Sequence, residues 1–181
     1  RVYRTLGPAA EVSVALTAES NSTLYWLPHE TLLFDGSALA RHLTADVAAD
    51  ATFLAVEAMV FGRQAAGEEM HSVSLRDRWT IRRAGRLIHA EALALGPDWR
   101  PSPATLAGAR ATATLLLVSP QAEALLKRVR NRLGPQDGAS AWNGKLIARF
   151  LADDSLTLRK ALVSVLSACM GPLVLPKVWT L

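Results

Sequence analysis

Apolar and polar residues alternate through much of the first half of the chain, which is the pattern of half-buried β-strands. In residues 73–93, most apolar side chains fall on odd positions, and the arginines of the first strand fall mostly on even ones. Ala84 and Gly85 interrupt this stretch between two arginines, so it is predicted to form a β-hairpin. Residues 52–61 are apolar at nearly every position, which predicts a strand covered on both faces. Further strands are predicted around residues 12–16, 39–47, 111–118 and 145–151.

The hydrophobic period changes to that of a helix after residue 118. Ser119, followed by Pro120, is predicted to cap a helix that carries one apolar stripe and ends at Gly134. The opposite side of this helix is cationic and carries Lys127, Arg128, Arg130 and Arg132. Ser155 is predicted to cap a second helix, which ends at Gly171. The sequence therefore predicts a mainly β fold, layered and sandwich-like, with two α-helices in the C-terminal third.

Composition adds limits on size and location. With 181 residues, half of them hydrophobic, the chain is predicted to form one domain over residues 1–181. A single cysteine, Cys169, cannot form an internal disulfide, and no secretory leader is visible, so a cytoplasmic location is expected. Apolar runs fall far short of the ~20 residues that a membrane-spanning helix needs, so no membrane partner is expected. Sixteen of the twenty basic residues are arginine, which favours protein interfaces.

The four histidines lack the spacing of a metal site. They stand at positions 29, 42, 71 and 89, and no pair has the spacing and second ligand cluster of a closed zinc or nickel site. His29 and Glu30 are adjacent and, as neighbours on a strand, are expected to face opposite ways. No tight metal site is therefore predicted, although a loose site or one shared with a partner is left open.

Several carboxylates lie in or beside apolar β-segments. They are Glu30, Asp35, Glu57 and Asp77. Burial of a charged group is costly, so each one needs an arginine, a backbone donor or water nearby. Three interpretations are open: structural ion pairs, a wet internal polar path, or a catalytic pair. The sequence lacks a Gly-x-Ser-x-Gly motif, a phosphate-binding glycine loop and a His-Glu-x-x-His motif, which makes catalysis the weakest of the three.

A row of arginines lies on the first strand of the predicted hairpin. Arg76, Arg78 and Arg82 share one face, which could grip phosphates. Trp79 points to the other face, so the stacking platform expected for single-stranded nucleic acid is missing. A solvated or protein-contacting face is predicted instead, and no nucleic-acid partner.

Residues 26–36 read Trp-Leu-Pro-His-Glu-Thr-Leu-Leu-Phe-Asp-Gly and resemble the WLPQETILFDG signature of the urease accessory protein UreD family, called UreH in some organisms. The likeness continues in order along the chain, at Phe53-Leu54, Glu57, Gly62-Arg63, Gly67-Glu68, Arg76-Asp77-Arg78-Trp79, Gly144, Leu146, Arg149 and Pro176-Lys177-Val178-Trp179. The chain is therefore identified as similar to the C-terminal two thirds of this family. His29 replaces the usual Gln, and Lys177 replaces the common Arg.

This resemblance implies a non-enzymatic role in the maturation of urease. UreD-like proteins bind UreF, which recruits the GTPase UreG, and dock on apo-urease so that nickel reaches its active site. No tightly bound cofactor is implied, only nickel in transit, along a proposed water-filled passage. The residues expected to line that path or an internal polar network are Glu30, Asp35, Glu57, Glu68 and Asp77. Expected ion-pair or partner contacts are Arg63, Arg76, Arg78, Arg149 and Trp179.

Some expectations concern assembly and rival functions. The cationic side of the first helix, or the apolar end with Trp179, is expected to meet UreF, unless that end is tied into the protein as a final strand. Because the family's N-terminal third is missing, open sheet edges or strand exchange between copies are expected. The alternative function is a hydrolase that uses two of Glu30, Asp35 and Glu57.

Overall fold

The structure is a computed structural model and describes residues 1–62, 67–68, 70–97, 105–171 and 175–179. Its described residues form ten β-strands, two α-helices and a short 3₁₀ turn, so the predicted mainly β class with two helices is confirmed. The chain divides into two compact units. The first contains Arg1–Leu24, Thr31–Thr52 and Phe61–Pro101, and the second contains Tyr25–Glu30, Phe53–Val60 and Ser102–Leu181. A single domain over the whole chain stays a prediction.

The first unit is built on a mixed four-stranded sheet with the order β1-β4-β6-β7. Its strands are β1 (Ala10–Ala18), β4 (Ser37–Val47), β6 (Val73–Arg83) and β7 (Arg86–Leu95). The pairs β1–β4 and β4–β6 are parallel, and β6–β7 is antiparallel. The predicted hairpin is confirmed, with Ala84 and Gly85 at φ 49° and 76° in its turn. Positive φ at both central residues matches the right-handed twist of the flanking strands.

Alternation along these strands separates a buried face from an exposed one. Leu39 and Leu43 on β4, with Leu75 and Ile81 on β6, are buried, as their odd positions predicted. Arg76 and its even-numbered neighbours face the opposite way. The short strand β3 (Thr31–Leu33) precedes β4, and Leu33 forms a parallel bridge with Val2.

The second unit is built mainly on a run of strands in the order β2-β5-β8-β10-β9, in which the pairs β5–β8, β8–β10 and β10–β9 are antiparallel. The bounds are β2 (Thr23–Trp26), β5 (Thr52–Phe61), β8 (Ala111–Val118), β9 (Gly138–Trp142) and β10 (Lys145–Ala152). β5 is buried at every position after the first, which confirms the strand covered on both faces. The sequence did not predict β9, because its Gly-Ala-Ser-Ala run has no large apolar side chains to reveal alternation.

Two helices pack in the second unit, and their starts correct the sequence predictions. α1 (Ala122–Arg130) begins after Gln121, whose side chain makes no cap, while the Ser119 hydroxyl accepts from the Gln121 N–H at 3.2 Å in the preceding turn. The predicted Ser119 cap is therefore wrong. α2 (Ser155–Met170) is capped by Asp154, whose carboxylate accepts from the Thr157 N–H at 2.8 Å, so the predicted Ser155 cap is wrong by one residue.

The second helix lies against the sheet of its unit. The apolar stripe that includes Leu158, Leu162 and Leu166 is buried, and α2 contacts β8 and β10. Gly171, at φ 68°, ends the helix as predicted. A 3₁₀ turn, Lys177–Trp179, lies near the end of the chain. Among the described residues, no helix has the length and apolar character needed to cross a membrane. The cytoplasmic location stays a prediction.

Candidate functional site

The segment from Trp26 to Glu30, here called the signature segment, begins at the last residue of β2 and has no regular structure from Leu27 onward. Its first residue is tied to β5, because the Trp26 indole N–H donates to Glu57 Oε1 at 3.3 Å. Glu57 is buried in the middle of β5. A buried carboxylate needs donors, and the indole supplies one of them. Two residues of the predicted family pattern are therefore in direct contact.

The other end of the signature segment is held by an arginine of α2. Arg159 Nε donates to Glu30 Oε1 at 2.8 Å, and Arg159 Nη2 donates to Glu30 Oε2 at 2.7 Å. This is the two-pronged geometry in which a guanidinium binds a carboxylate most strongly. The Glu30 side chain is only 7% exposed and that of Arg159 20% exposed, so solvent screens the pair weakly.

Electrostatics keep this pair ionised. Burial raises the pKa of Glu30, but the hydrogen bonds and charge of Arg159, a backbone hydrogen bond and a hydrogen bond with His29 together outweigh burial, so the net pKa of Glu30 is lowered. The hydrogen bonds that Arg159 donates to Glu30 raise the pKa of Arg159 in turn. A general acid near neutral pH would need the opposite shift. Glu30 therefore acts here as a structural anion.

The C-terminal turn joins the same network. Arg159 Nη1 donates to the Val178 carbonyl oxygen at 3.1 Å, and the Trp179 indole N–H donates to the Leu27 carbonyl oxygen at 3.1 Å. The Arg159 guanidinium also lies 5.9 Å from the Trp179 ring centroid. Three segments distant in sequence are thus fastened together. We call Glu30, Arg159 and Trp179 the clamp.

The position of Trp179 bears on its predicted role. Its ring is buried and its indole is bonded within the protein, so it supports the clamp and does not face outward. Residues 172–174 of the apolar end lie outside the described residues. Contact of this end with UreF stays a prediction.

His29 corrects an expectation about its neighbour. Its Nδ1 lies 3.5 Å from Glu30 Oε2 and 3.4 Å from Arg159 Nη2. The expectation that His29 and Glu30 face opposite ways is wrong, because residues 27–30 are not a strand. His29 is therefore at the exposed rim of the clamp.

Asp35 and Glu68 organise a turn of the first unit. Asp35 Oδ1 accepts from the backbone N–H groups of His71 and Ser72 at 2.7 and 2.9 Å, and Arg4 Nη2 donates to Asp35 Oδ2 at 3.2 Å. The Asp35 N–H donates to Glu68 Oε1 at 3.4 Å. The Ser72 N–H is the largest cause of the lowered pKa of Asp35, against a smaller effect of burial. Asp35 therefore fixes backbone geometry.

Asp77 forms a buried ion pair with Arg41 in the first unit. Arg41 Nε and Nη2 donate to Asp77 Oδ1 and Oδ2 at 3.1 and 2.7 Å, and Arg41 Nη1 donates to Thr31 Oγ1 at 3.2 Å. The sequence analysis did not single out Arg41. It occupies an odd position of β4 between Leu39 and Leu43, so the alternation that predicts the buried face also places Arg41 there.

The remaining predicted contacts are spread over the surface. Arg76 and Arg78 are exposed on β6, and exposed Arg149 donates to Thr114 Oγ1 at 3.3 Å. Arg63 lies outside the described residues. Among the expected path residues, Glu30 and Glu57 belong to the second unit, whereas Asp35, Glu68 and Asp77 belong to the first. Within the described ranges, no cluster of three or more His, Cys, Asp or Glu side chains has a metal-binding arrangement.

Comparison with known proteins identifies the family. The model of the family described as UreD urease accessory protein matches residues 1–180. The chain belongs to the UreD family. It is 48% identical to the urease accessory protein UreD of Mesorhizobium japonicum over 188 aligned residues, which cover the whole chain and 67% of the relative.

Two further UreD relatives show the same coverage. Identity is 48% with the protein of Azorhizobium caulinodans, of which 69% is covered, and 45% with that of Agrobacterium fabrum, of which 65% is covered. The chain thus spans about two thirds of the length of these relatives. They are accessory proteins of urease and not catalysts, so the predicted non-enzymatic role is confirmed and the hydrolase alternative is wrong.

Proposed function

We propose that the protein is a scaffold for urease maturation. In this role it binds UreF, receives the GTPase UreG through UreF, and docks on apo-urease so that nickel can enter the active site. The clamp carries this proposal. Two residues of the family pattern, Glu30 of the signature segment and Trp179 near the C-terminal end, meet Arg159 of α2 in one network. A docking protein needs such fixed geometry more than it needs reactive groups.

The paired acids fit scaffolding better than ion transport. Glu30 and Asp77 each bind a guanidinium through both oxygens. Release of either carboxylate to a passing cation would leave a buried or partly buried arginine without its partner, which is costly. These two residues therefore hold the fold in place, and we assign them no direct contact with nickel.

Glu57 is our first candidate for contact with nickel in transit. It is buried among apolar residues of β5, and one of its oxygens accepts from the Trp26 indole. Carboxylate oxygens also hold nickel less tightly than thiolates or several imidazoles would, which suits an ion that must move on.

The substitution Glu57→Gln tests this role in cells whose own UreD is deleted. Glutamine keeps an acceptor for Trp26 but removes the charge. We expect UreF and urease to co-purify as with the wild type, while the nickel content and activity of urease fall at least fivefold. Trp26→Phe is the matched control, since it removes the indole donor and leaves the carboxylate.

The outcomes separate the two parts of the proposal. If urease in cells with Glu57→Gln contains as much nickel as in cells with the wild-type protein, the nickel role of Glu57 is overturned and the scaffold role stays intact. Failure of the wild-type protein to bind either UreF or urease would overturn the scaffold role itself.

A further inference from the structure

The exposed face of the four-stranded sheet, here called the outer face, has an unusual surface. On β7, Ala90, Ala92 and Ala94 are all exposed in a row, and on β1 the exposed positions include Ser13 and Ala15. Such short side chains leave the strands nearly uncovered. Another protein surface can therefore approach this sheet closely.

Three arginines of β6 are exposed on this face, namely Arg76, Arg78 and Arg82. Arg76 and Arg78 are exposed on β6, two positions apart, so their side chains leave the same face at a spacing of about 6.7 Å. In register, Arg76 lies opposite Ala40 of β4, and Ala40 lies opposite Glu11 of β1. Because Ala40 is small, a groove of about 290 Å³ opens between the arginines and Glu11.

The groove continues one register step along the sheet. Arg78 lies opposite His42, and His42 lies opposite Ser13. These residues also line the groove. The His42 ring is oriented by a 3.3 Å contact between its Nε2 and Thr80 Oγ1. The cationic wall is therefore formed by β6, with polar groups across the floor.

The chemistry of this wall selects carboxylates on a protein. Each guanidinium presents a planar fork that matches a carboxylate, and arginine is enriched at protein interfaces. A nucleic-acid strand would need aromatic stacking, but Trp79 of the same strand is buried on the opposite face. Glu11 would also repel a chain of phosphates, whereas a folded partner can place its acids near Arg76 and Arg78 alone.

We propose that the outer-face groove receives acidic side chains of a protein partner, with Arg76 and Arg78 each binding one carboxylate. This inference rests on the proposed scaffold function, because the partner is then a component of the urease maturation complex. Glu11 lies on the far wall and weakens the interaction through repulsion of the incoming acids.

Charge reversal of the full-length protein tests the groove. Purified apo-urease and purified UreF serve as separate probes, with binding measured at 50 mM and 300 mM salt. The double variant Arg76→Glu/Arg78→Glu should bind one of the two probes at least about tenfold more weakly at low salt, because like charges would then face each other. Arg86→Glu is the matched control. It makes a single Arg-to-Glu reversal on the exposed start of β7, outside the groove, and should bind both probes within twofold of the wild type.

A second variant should act in the opposite direction. Glu11→Gln removes the repulsive carboxylate and should tighten binding to the same probe about two- to threefold at low salt. A merely misfolded surface cannot produce a gain, so this variant protects the test against structural damage. An increase in salt from 50 mM to 300 mM should also weaken binding by the wild type more than binding by Arg76→Gln/Arg78→Gln, because that variant lacks the two charges that salt screens.

Three results would overturn the groove. The first is that the double reversal binds both probes as tightly as the wild type. The second is that Glu11→Gln binds the probe more weakly than the wild type. The third is that the wild type binds a labelled single-stranded oligonucleotide more tightly than either protein probe at 150 mM salt. If the double reversal still binds both probes and activates urease, the groove proposal fails and the scaffold function stands. If the wild type binds neither probe, the scaffold function fails as well.

Discussion

The two units each contain an arginine–carboxylate pair with nearly the same geometry, buried in the first unit and partly buried in the second. Arg41 binds Asp77 in the first unit at 3.1 and 2.7 Å, and Arg159 binds Glu30 in the second at 2.8 and 2.7 Å. Arg41 and Asp77 are register partners on adjacent parallel strands. Arg159 lies 129 residues from Glu30 and also binds the Val178 carbonyl oxygen. Identical chemistry therefore supports one sheet in the first case and joins three segments in the second.

The difference shows that burial alone does not identify a functional pair. The Arg41 and Asp77 side chains are 6% and 5% exposed, drier than Arg159 at 20%. A buried ion pair is weak evidence for net stability, because desolvation opposes the attraction between the charges. The number of distant segments that a pair fixes is the better guide. By that measure the clamp, and not the drier pair, is the stronger candidate for a role in the proposed docking.

The largest effect is expected when the drier pair is broken. Asp77→Ala leaves the Arg41 guanidinium buried without its carboxylate and should lower the free energy of unfolding by about 3–5 kcal/mol. Chemical denaturation of the purified protein measures this loss. The matched double variant Arg41→Met/Asp77→Leu removes both charges and should recover most of it. A single variant within about 1 kcal/mol of the wild type would contradict this view of the pair.

The clamp should respond less in stability and more in assembly. Arg159→Met removes charged hydrogen bonds and should cost about 2 kcal/mol, because Arg159 is partly exposed. Since the same side chain holds Glu30 and Val178, urease activation in cells should fall at least tenfold. Arg159→Lys keeps the charge but cannot bind Glu30 through two parallel N–H groups. Its urease activation should therefore fall between those of the wild type and Arg159→Met. Equal activation by Arg159→Met and the wild type would remove the clamp from the docking mechanism.

Measurement at acid pH provides a control for the predicted loss of stability in Arg159→Met. The pKa of Glu30 is lowered in the folded state, so the pair stabilises the protein above the ordinary glutamate pKa of 4.5. That contribution disappears as the pH falls below 4.5 through the lowered value. The difference in unfolding free energy between wild type and Arg159→Met should therefore shrink towards acid pH. A difference that stays constant would mean that Arg159 stabilises through packing alone.

Local periodicity predicted the elements that are defined by neighbouring residues. The β6–β7 hairpin and the buried strand β5 follow from alternation and from turn residues next to them in sequence. The same alternation could have predicted Arg41, since its odd position on β4 fixes its face. β9 escaped because small residues carry little hydrophobic contrast.

The clamp could not be predicted in the same way. The family signature drew attention to Glu30, but its partner Arg159 follows Leu158 on a helix with no local feature that points to residue 30. Contacts across 129 residues depend on how the chain folds, and the local pattern of a single sequence does not encode them. The C-terminal Trp179 was selected by resemblance, while its indole contact with Leu27 required the structure.

The smallest effect is expected at the position where the chain departs from the family signature. His29 is 58% exposed, and its Nδ1 touches the rim of the clamp at 3.4–3.5 Å. In His29→Gln, the glutamine oxygen can accept from Arg159 Nη2 in place of the ring nitrogen. The bidentate contacts of Glu30 do not involve residue 29, so the free energy of unfolding should change by less than about 0.5 kcal/mol. Urease activation should stay within twofold. A change above about 1 kcal/mol would mean that His29 helps to hold Glu30, and the second unit would then contain a three-membered site where the first contains a simple pair.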